Sequence, residues 1–124
     1  MNLQARIQAF TKLGEYFKND FTSEKEEQIY SAKVKNAWFT EKSIKDAINA
    51  WAEQLNDEML TAWINPYKLK EVESPKRVLI LMAGNIPLVG FHDFLAVLIS
   101  GHKVVIKLSS NDNVLIPLII EKLI

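Results

Sequence analysis

A chain of 124 residues, 48% hydrophobic and 24% charged, suits one soluble globular domain or a piece of a larger protein. Fifteen basic and fifteen acidic residues cancel, so there is no basic excess to hold nucleic acid or an anionic membrane surface. With no cysteine, these residues hold no disulfide, no thiolate metal site and no cysteine nucleophile.

The opening "MNLQARIQAF" lacks the basic segment and apolar core of a signal peptide. No apolar run reaches the roughly 18 residues that a spanning helix needs. A cytoplasmic protein with no membrane span is the expectation.

Residues 1–73 carry most of the charged side chains and read as helical. Leu3, Ile7, Phe10, Leu13 and Phe17 recur at a three-to-four spacing, which predicts a first amphipathic helix that Gly14 weakens without stopping. "TSEKEEQIYSAKVKNAWF" is charged and less periodic, a second helix with a loose end. "TEKSIKDAINAWAEQL" begins with Thr40 as N-cap and sets Ile44, Ala47, Ile48, Trp51 and Leu55 on one face. "DEMLTAWI" is a short further helix that Asn65-Pro66 ends. "YKLKEVESPKR" alternates weakly, as an extended connector or an edge strand.

From residue 74 the character changes. "RVLILMA" is a β-branched, apolar run of strand length without alternation, the pattern of a strand buried on both faces of a parallel sheet. "PLVGFHDFLAVLIS" reads as a helix with Pro87 near its first position and Gly101 as its stop. "KVVIKL" is a second strand and "SSNDN" a turn. "VLIPLIIEKLI" opens a second helix with Asn113 as cap and Pro117 in its first turn, where a missing N–H does no harm. Strand, helix, strand, helix is the pattern of a βαβ unit.

Two strands fall short of the usual sheet of about 4–6, and two nearly all-apolar helices have too little partner surface to cover both. The chain is therefore expected to be the N-terminal part of a longer protein. A homo-oligomer that completes the sheet between copies is the alternative.

Ligands of open α/β sheets collect at the carboxyl ends of strands, beside helix N-termini. Asn85 follows the first strand there and Lys107 ends the second, with Ser109 and Ser110 next. Position alone leaves two roles open for Asn85: a helix cap, or an amide donor to a ligand. Lys107 is a solvated strand-end lysine or a ligand cation, and Ser109, Ser110 and Asn111 fit a turn and cap. His92 and His102 lack a third ligand nearby, so no metal site is expected. "AGNIPLVG" does not have the spacing of a glycine-rich phosphate loop.

"GNIP", a long apolar helix and then "ISGHKVVIKLSS" resemble a paired signature of the aldehyde dehydrogenase superfamily. There an Asn-x-Pro turn precedes a helix and "aGN-x-VVLKPSE" follows it. Asn85-Ile86-Pro87 matches the first element, and Gly101 with Val104-Val105-Ile106-Lys107 matches the second. The fuller string "MAGNIPLVGFHDFLAVLISGHKVVIKLSS" resembles more closely still the acyl-CoA reductase branch, the LuxC-type long-chain fatty acyl reductases. The resemblance covers residues 75–124; the helical first part fits the family only loosely.

The resemblance implies an α/β fold, with N-terminal helices over residues 1–73. Residues 74–124 would then form the first βαβα part of a Rossmann-like NAD(P)-binding domain. It implies reduction of an acyl thioester, on coenzyme A or an acyl-carrier protein, to an aldehyde through an acyl-cysteine. Asn85 would donate its amide to the thioester oxygen as it becomes an oxyanion, and Lys107 would bind the cofactor's adenosine ribose or its 2′-phosphate. Met82, Ala83 and Gly84 would line the cofactor groove, with Ser109 beside them. Leu108-Ser109-Ser110 replaces the family's Pro-Ser-Glu, so a ribose-binding glutamate is missing and NADPH is implied in preference to NADH. The cysteine is also missing, so the 124 residues hold half a site and are expected to be inactive alone. The whole enzyme is expected to be a homo-oligomer. Two other classes stay open: a non-catalytic module whose helices bind a partner, and an unrelated nucleotide-binding α/β enzyme that uses Lys107 on phosphate.

Overall fold

The computed structural model describes residues 1–123. Ile124, the last residue of the expected final helix, lies outside the described residues. The first helix, α1 (Leu3–Asn19), forms as its periodicity demands, with Ile7, Phe10, Leu13 and Phe17 buried. Asn2 caps it by accepting from the Ala5 N–H at 2.8 Å. Gly14 has a packing role: a Cβ there would run into the Leu55 carbonyl oxygen, so the missing side chain is what lets two helices cross closely.

The expected second helix is broken in two. A single turn, α2 (Phe21–Glu24), is followed by α3 (Glu26–Lys35), which ends four residues earlier than expected, where Asn36 turns extended. The long fourth helix, α4 (Glu41–Gln54), starts as predicted at Thr40. Thr40 Oγ1 accepts from the Ser43 N–H and Ser43 Oγ accepts from the Thr40 N–H, both at 2.9 Å, a reciprocal capping box. A short helix, α5 (Asp57–Ile64), is capped by Asn56. It runs into a 3-10 turn at Asn65–Tyr67. Residues 68–76 form a connector and no strand.

β1 (Arg77–Leu81) and β2 (Lys103–Lys107) pair in parallel, Arg77 opposite Lys103 and Leu81 opposite Lys107. Between them lies α6 (Phe91–Ile99), and α7 (Leu115–Leu123) follows. The fold is thus mixed α and β, with the expected strand, helix, strand, helix order. Gly101 stops α6 at φ 96°, where its N–H reaches the Leu98 carbonyl oxygen at 3.0 Å.

Three local expectations need correction. The helix expected from Pro87 begins only at Phe91, because Leu88 sits at φ 60° and cannot belong to a right-handed helix. Residues 86–91 instead form consecutive tight turns, Val89 N–H to Ile86 O at 3.2 Å and Phe91 N–H to Leu88 O at 3.0 Å. The cap of α7 is Asp112 rather than Asn113, with its Oδ1 accepting from the Leu115 N–H at 3.3 Å and the Val114 N–H at 3.4 Å.

The third correction concerns burial. The apolar helices α6 and α7 are covered, because the N-terminal helices pack on them and one continuous core joins both halves of the chain. Trp51 of α4 meets Phe91 of α6 edge-on at 4.6 Å between ring centroids, and Phe17 of α1 lies 6.2 Å from the same ring. It is the sheet that stays half covered. Val78 and Ile80 turn toward the helices, while Leu79 and Leu81 on the other face are 60% and 70% exposed. Among the described residues, a strand that reads as buried on both faces is covered on one.

Candidate functional site

Two parallel strands that end side by side bring their last residues and the following turns together. Here they form an open cleft of about 670 Å³. Met82 and Leu81 line it from the first strand, Lys107 and Leu108 from the second, and Ser109, Ser110 and Asn113 from the turn before α7. Pairing continues one step past the strands, because the Met82 N–H donates to the Lys107 carbonyl oxygen at 3.0 Å. Three of the six residues to which the resemblance gives a role, Met82, Lys107 and Ser109, therefore share one cleft.

The remaining three stand beside it. Gly84 is buried against the turn: a Cβ there would lie 2.6 Å from Ser109 Oγ and 3.2 Å from the Asp112 nitrogen. Only a glycine lets these two loops touch. Ala83 and Asn85 are exposed and do not line the cleft. The Asn85 side chain has no hydrogen-bond partner among the described residues. It caps no helix, since α6 starts six residues later, behind an N-cap position held by Gly90. The cap role left open by position is thereby removed. Asn85 is a free amide on a tight loop.

That loop is strained. A non-glycine residue in the left-handed region costs about 1–2 kcal/mol. Leu88 holds it because its side chain is almost wholly buried, at 3% exposure. Core burial of Leu88 thus supports the conformation that presents Asn85 to solvent.

Two further residues matter here that the reading of the sequence did not single out. Asn36, buried at the end of α3, donates from Nδ2 to the Gly84 carbonyl oxygen at 2.7 Å, and its Oδ1 accepts from the Trp38 N–H at 3.0 Å. Asp112 is buried beneath the turn, and that burial raises its carboxyl above the ordinary value against the opposing pull of the Leu115 and Val114 N–H groups. An Asx residue three before the helix is a recognisable cap signal, so Asp112 was findable. Asn36 was not.

Lys107 is exposed, and among the described residues the ion pair that forms is Lys42–Asp46, far along the chain from it. Its charge is open to a ligand. His92 lies beside the Trp51 and Trp63 rings, and His102 Nδ1 accepts from the Lys76 N–H at 3.1 Å. No helix among the described residues is long and apolar enough to cross a membrane.

The chemistry available at the cleft is binding chemistry: one cation, two hydroxyls, an amide at Asn113 and exposed backbone, with a second free amide nearby at Asn85. Such a set suits a phosphorylated or polyhydroxyl ligand. Comparison with protein-family models, with curated proteins and with solved structures finds no match for this chain.

Proposed function

We propose that residues 77–123 form the first half of a nicotinamide-nucleotide site in an NADP-dependent acyl-CoA reductase. The observation that carries this is the convergence of Met82, Lys107 and Ser109 on one cleft at the carboxyl ends of parallel strands, where dinucleotides bind to Rossmann-like sheets. The motif pair "GNIP" and "GHKVVIK" supports the same reading.

In this reading Lys107 pairs with the ribose 2′-phosphate, while Ser109 and Ser110 offer hydroxyls to the sugar. Gly84 keeps the loop close to the turn, so the cleft stays narrow on that side. The cofactor, when bound, supplies hydride. Asn85 lends its unbonded amide to the thioester oxygen, and a preorganised donor of that kind is worth about 3–4 kcal/mol in the transition state. The thiol that takes the acyl group, from coenzyme A or an acyl-carrier protein, is supplied from outside these 124 residues, which contain no cysteine.

Calorimetric titration of the chain with ADP-ribose and with its 2′-phosphorylated form tests the proposal without requiring turnover. The phosphorylated ligand should bind about tenfold more tightly, and Lys107→Ala should abolish that preference. Equal binding of the two ligands, or an undiminished preference in Lys107→Ala, would sink it.

A second reading, a non-catalytic interaction module, draws on the N-terminal half. Tyr30, Val34 and Trp38 are 57%, 65% and 80% exposed at successive four-residue steps, a spacing that suits contact with a partner. Binding of an acyl-carrier protein without any nucleotide affinity would favour it.

A further inference from the structure

Asn36 is fixed through its backbone and its side chain alike. Its N–H donates to the Ala32 carbonyl oxygen at 3.1 Å, and its own carbonyl oxygen accepts from the Phe39 N–H at 3.0 Å. Phe39 is buried, which anchors this turn in the core. The side-chain Oδ1 accepts from the Trp38 N–H, so the amide is turned one way only and Nδ2 faces the Gly84 carbonyl oxygen. That oxygen belongs to the planar peptide unit that also contains the nitrogen and Cα of Asn85. A donor on it therefore fixes the plane from which the Asn85 side chain projects. The far end of the loop is pinned as well: Leu88 lies in the core, and a Cβ on Gly90 would stand 2.7 Å from Met82 Cγ. Asn85 is thus an unbonded amide on a backbone held before and after it.

We infer that Asn36 is the positioning residue for Asn85 and acts on the reaction only through it, an inference that rests on the oxyanion role given to Asn85 above. A donor to a developing oxyanion is effective because it is already in place and needs no reorganisation as charge appears. With the Gly84 carbonyl oxygen released, the Gly84–Asn85 peptide is free to rotate and carries the amide away from its place. A displacement of about 1 Å can slow a reaction about a hundredfold. The helical N-terminal half thereby takes part in the site through one buried side chain, although none of its residues lines the cleft.

Two variants separate the bond to Gly84 from the turn around Asn36. Asn36→Ala removes both side-chain bonds. Asn36→Ser keeps an oxygen for the Trp38 N–H but is too short to reach Gly84, so it spares the turn and remains informative if Asn36→Ala folds poorly. Ile48→Val, a loss of packing in the core of α4, is the control for stability alone. In these 124 residues, nuclear relaxation of the Asn85 backbone amide should give an order parameter of about 0.85 in the unaltered chain and in Ile48→Val, and below about 0.6 in both Asn36 variants. In the enzyme that supplies the thiol, both Asn36 variants should slow single-turnover acylation by about ten- to a hundredfold, and Ile48→Val should not. Asn36→Ala combined with Asn85→Ala should be no slower than Asn85→Ala alone. An Asn85 amide that stays ordered in both Asn36 variants, equal slowing by Ile48→Val, or losses that multiply in the double variant would each overturn the inference. Normal acylation in Asn85→Ala would instead remove the oxyanion role itself, and the inference with it.

Discussion

The side-chain amide of Asn36 donates to the carbonyl oxygen of Gly84 across 2.7 Å, joining positions 48 residues apart. Asn36 is buried at 3% exposure, so neither group can turn to water instead. The bond ties the end of a charged, weakly periodic helix to the loop that presents Asn85.

Loss of that amide should therefore be felt at the loop. Asn36→Ala leaves a buried carbonyl unpaired and should destabilise the chain by about 1–3 kcal/mol, read from denaturant unfolding. Asn36→Asp should be worse, because a carboxylate oxygen would face the Gly84 carbonyl oxygen. Amide exchange in residues 84–90 should quicken in both variants; unchanged exchange there would detach the loop from Asn36.

Gly84→Ala tests the contact between loop and turn. The new Cβ would press on Ser109 Oγ and Cβ, at 2.6 and 2.8 Å. A cost of about 1–3 kcal/mol is expected for the single variant. Ser109→Gly removes both crowding atoms, so the double variant should recover much of that loss. A strictly additive result would show that the crowding is not with Ser109.

Asp112 gives a pH dependence of definite sign. Burial raises its folded-state carboxyl above the ordinary 3.8, so the folded chain holds the proton more tightly than the unfolded one. The stability this contributes is fully present below pH 3.8 and is lost as pH rises through the higher folded value. Asp112→Asn keeps an oxygen to cap α7 but cannot ionise. Its stability relative to the unaltered chain should rise across that window and then level, as measured by denaturant unfolding at a series of pH values. A constant difference would mean that Asp112 ionises in the folded chain as it does in the unfolded one.

For Asn85, stability and activity should part company. With no hydrogen bond and an exposed side chain, Asn85→Ala should change stability by less than about 0.5 kcal/mol. In the thiol-bearing enzyme proposed above, the same change should slow single-turnover acylation by about two to three orders of magnitude. Asn85→Ser, whose hydroxyl reaches less far, should be similarly slow. Near-normal acylation in Asn85→Ser would deny Asn85 the role of oxyanion donor.

Much of the architecture was legible because it is written in short-range terms. A three-to-four spacing places Ile7, Phe10, Leu13 and Phe17 on one helical face wherever the helix packs. Thr40 with Ser43 closes a capping box within four residues, and Gly101 accepts a positive φ that other residues avoid. The parallel pairing of two strands around one helix follows from chain length and connectivity, and it brings Met82, Lys107 and Ser109 to one cleft. Each of these outcomes depends on neighbours a few residues away or on topology.

What tertiary structure decided lies where distant parts of the chain compete. Pro87 suits the first turn of a helix, yet burial of Leu88 outweighs that local preference and holds residues 86–91 in turns. An apolar strand sequence says that both faces want cover but not which face receives it. The N-terminal helices went to α6 and α7, so Leu79, Leu81 and Val105 remain open. Asn36 found its partner at Gly84 because a buried amide must pair with whatever carbonyl the packing brings to it, and that choice is not encoded near either residue.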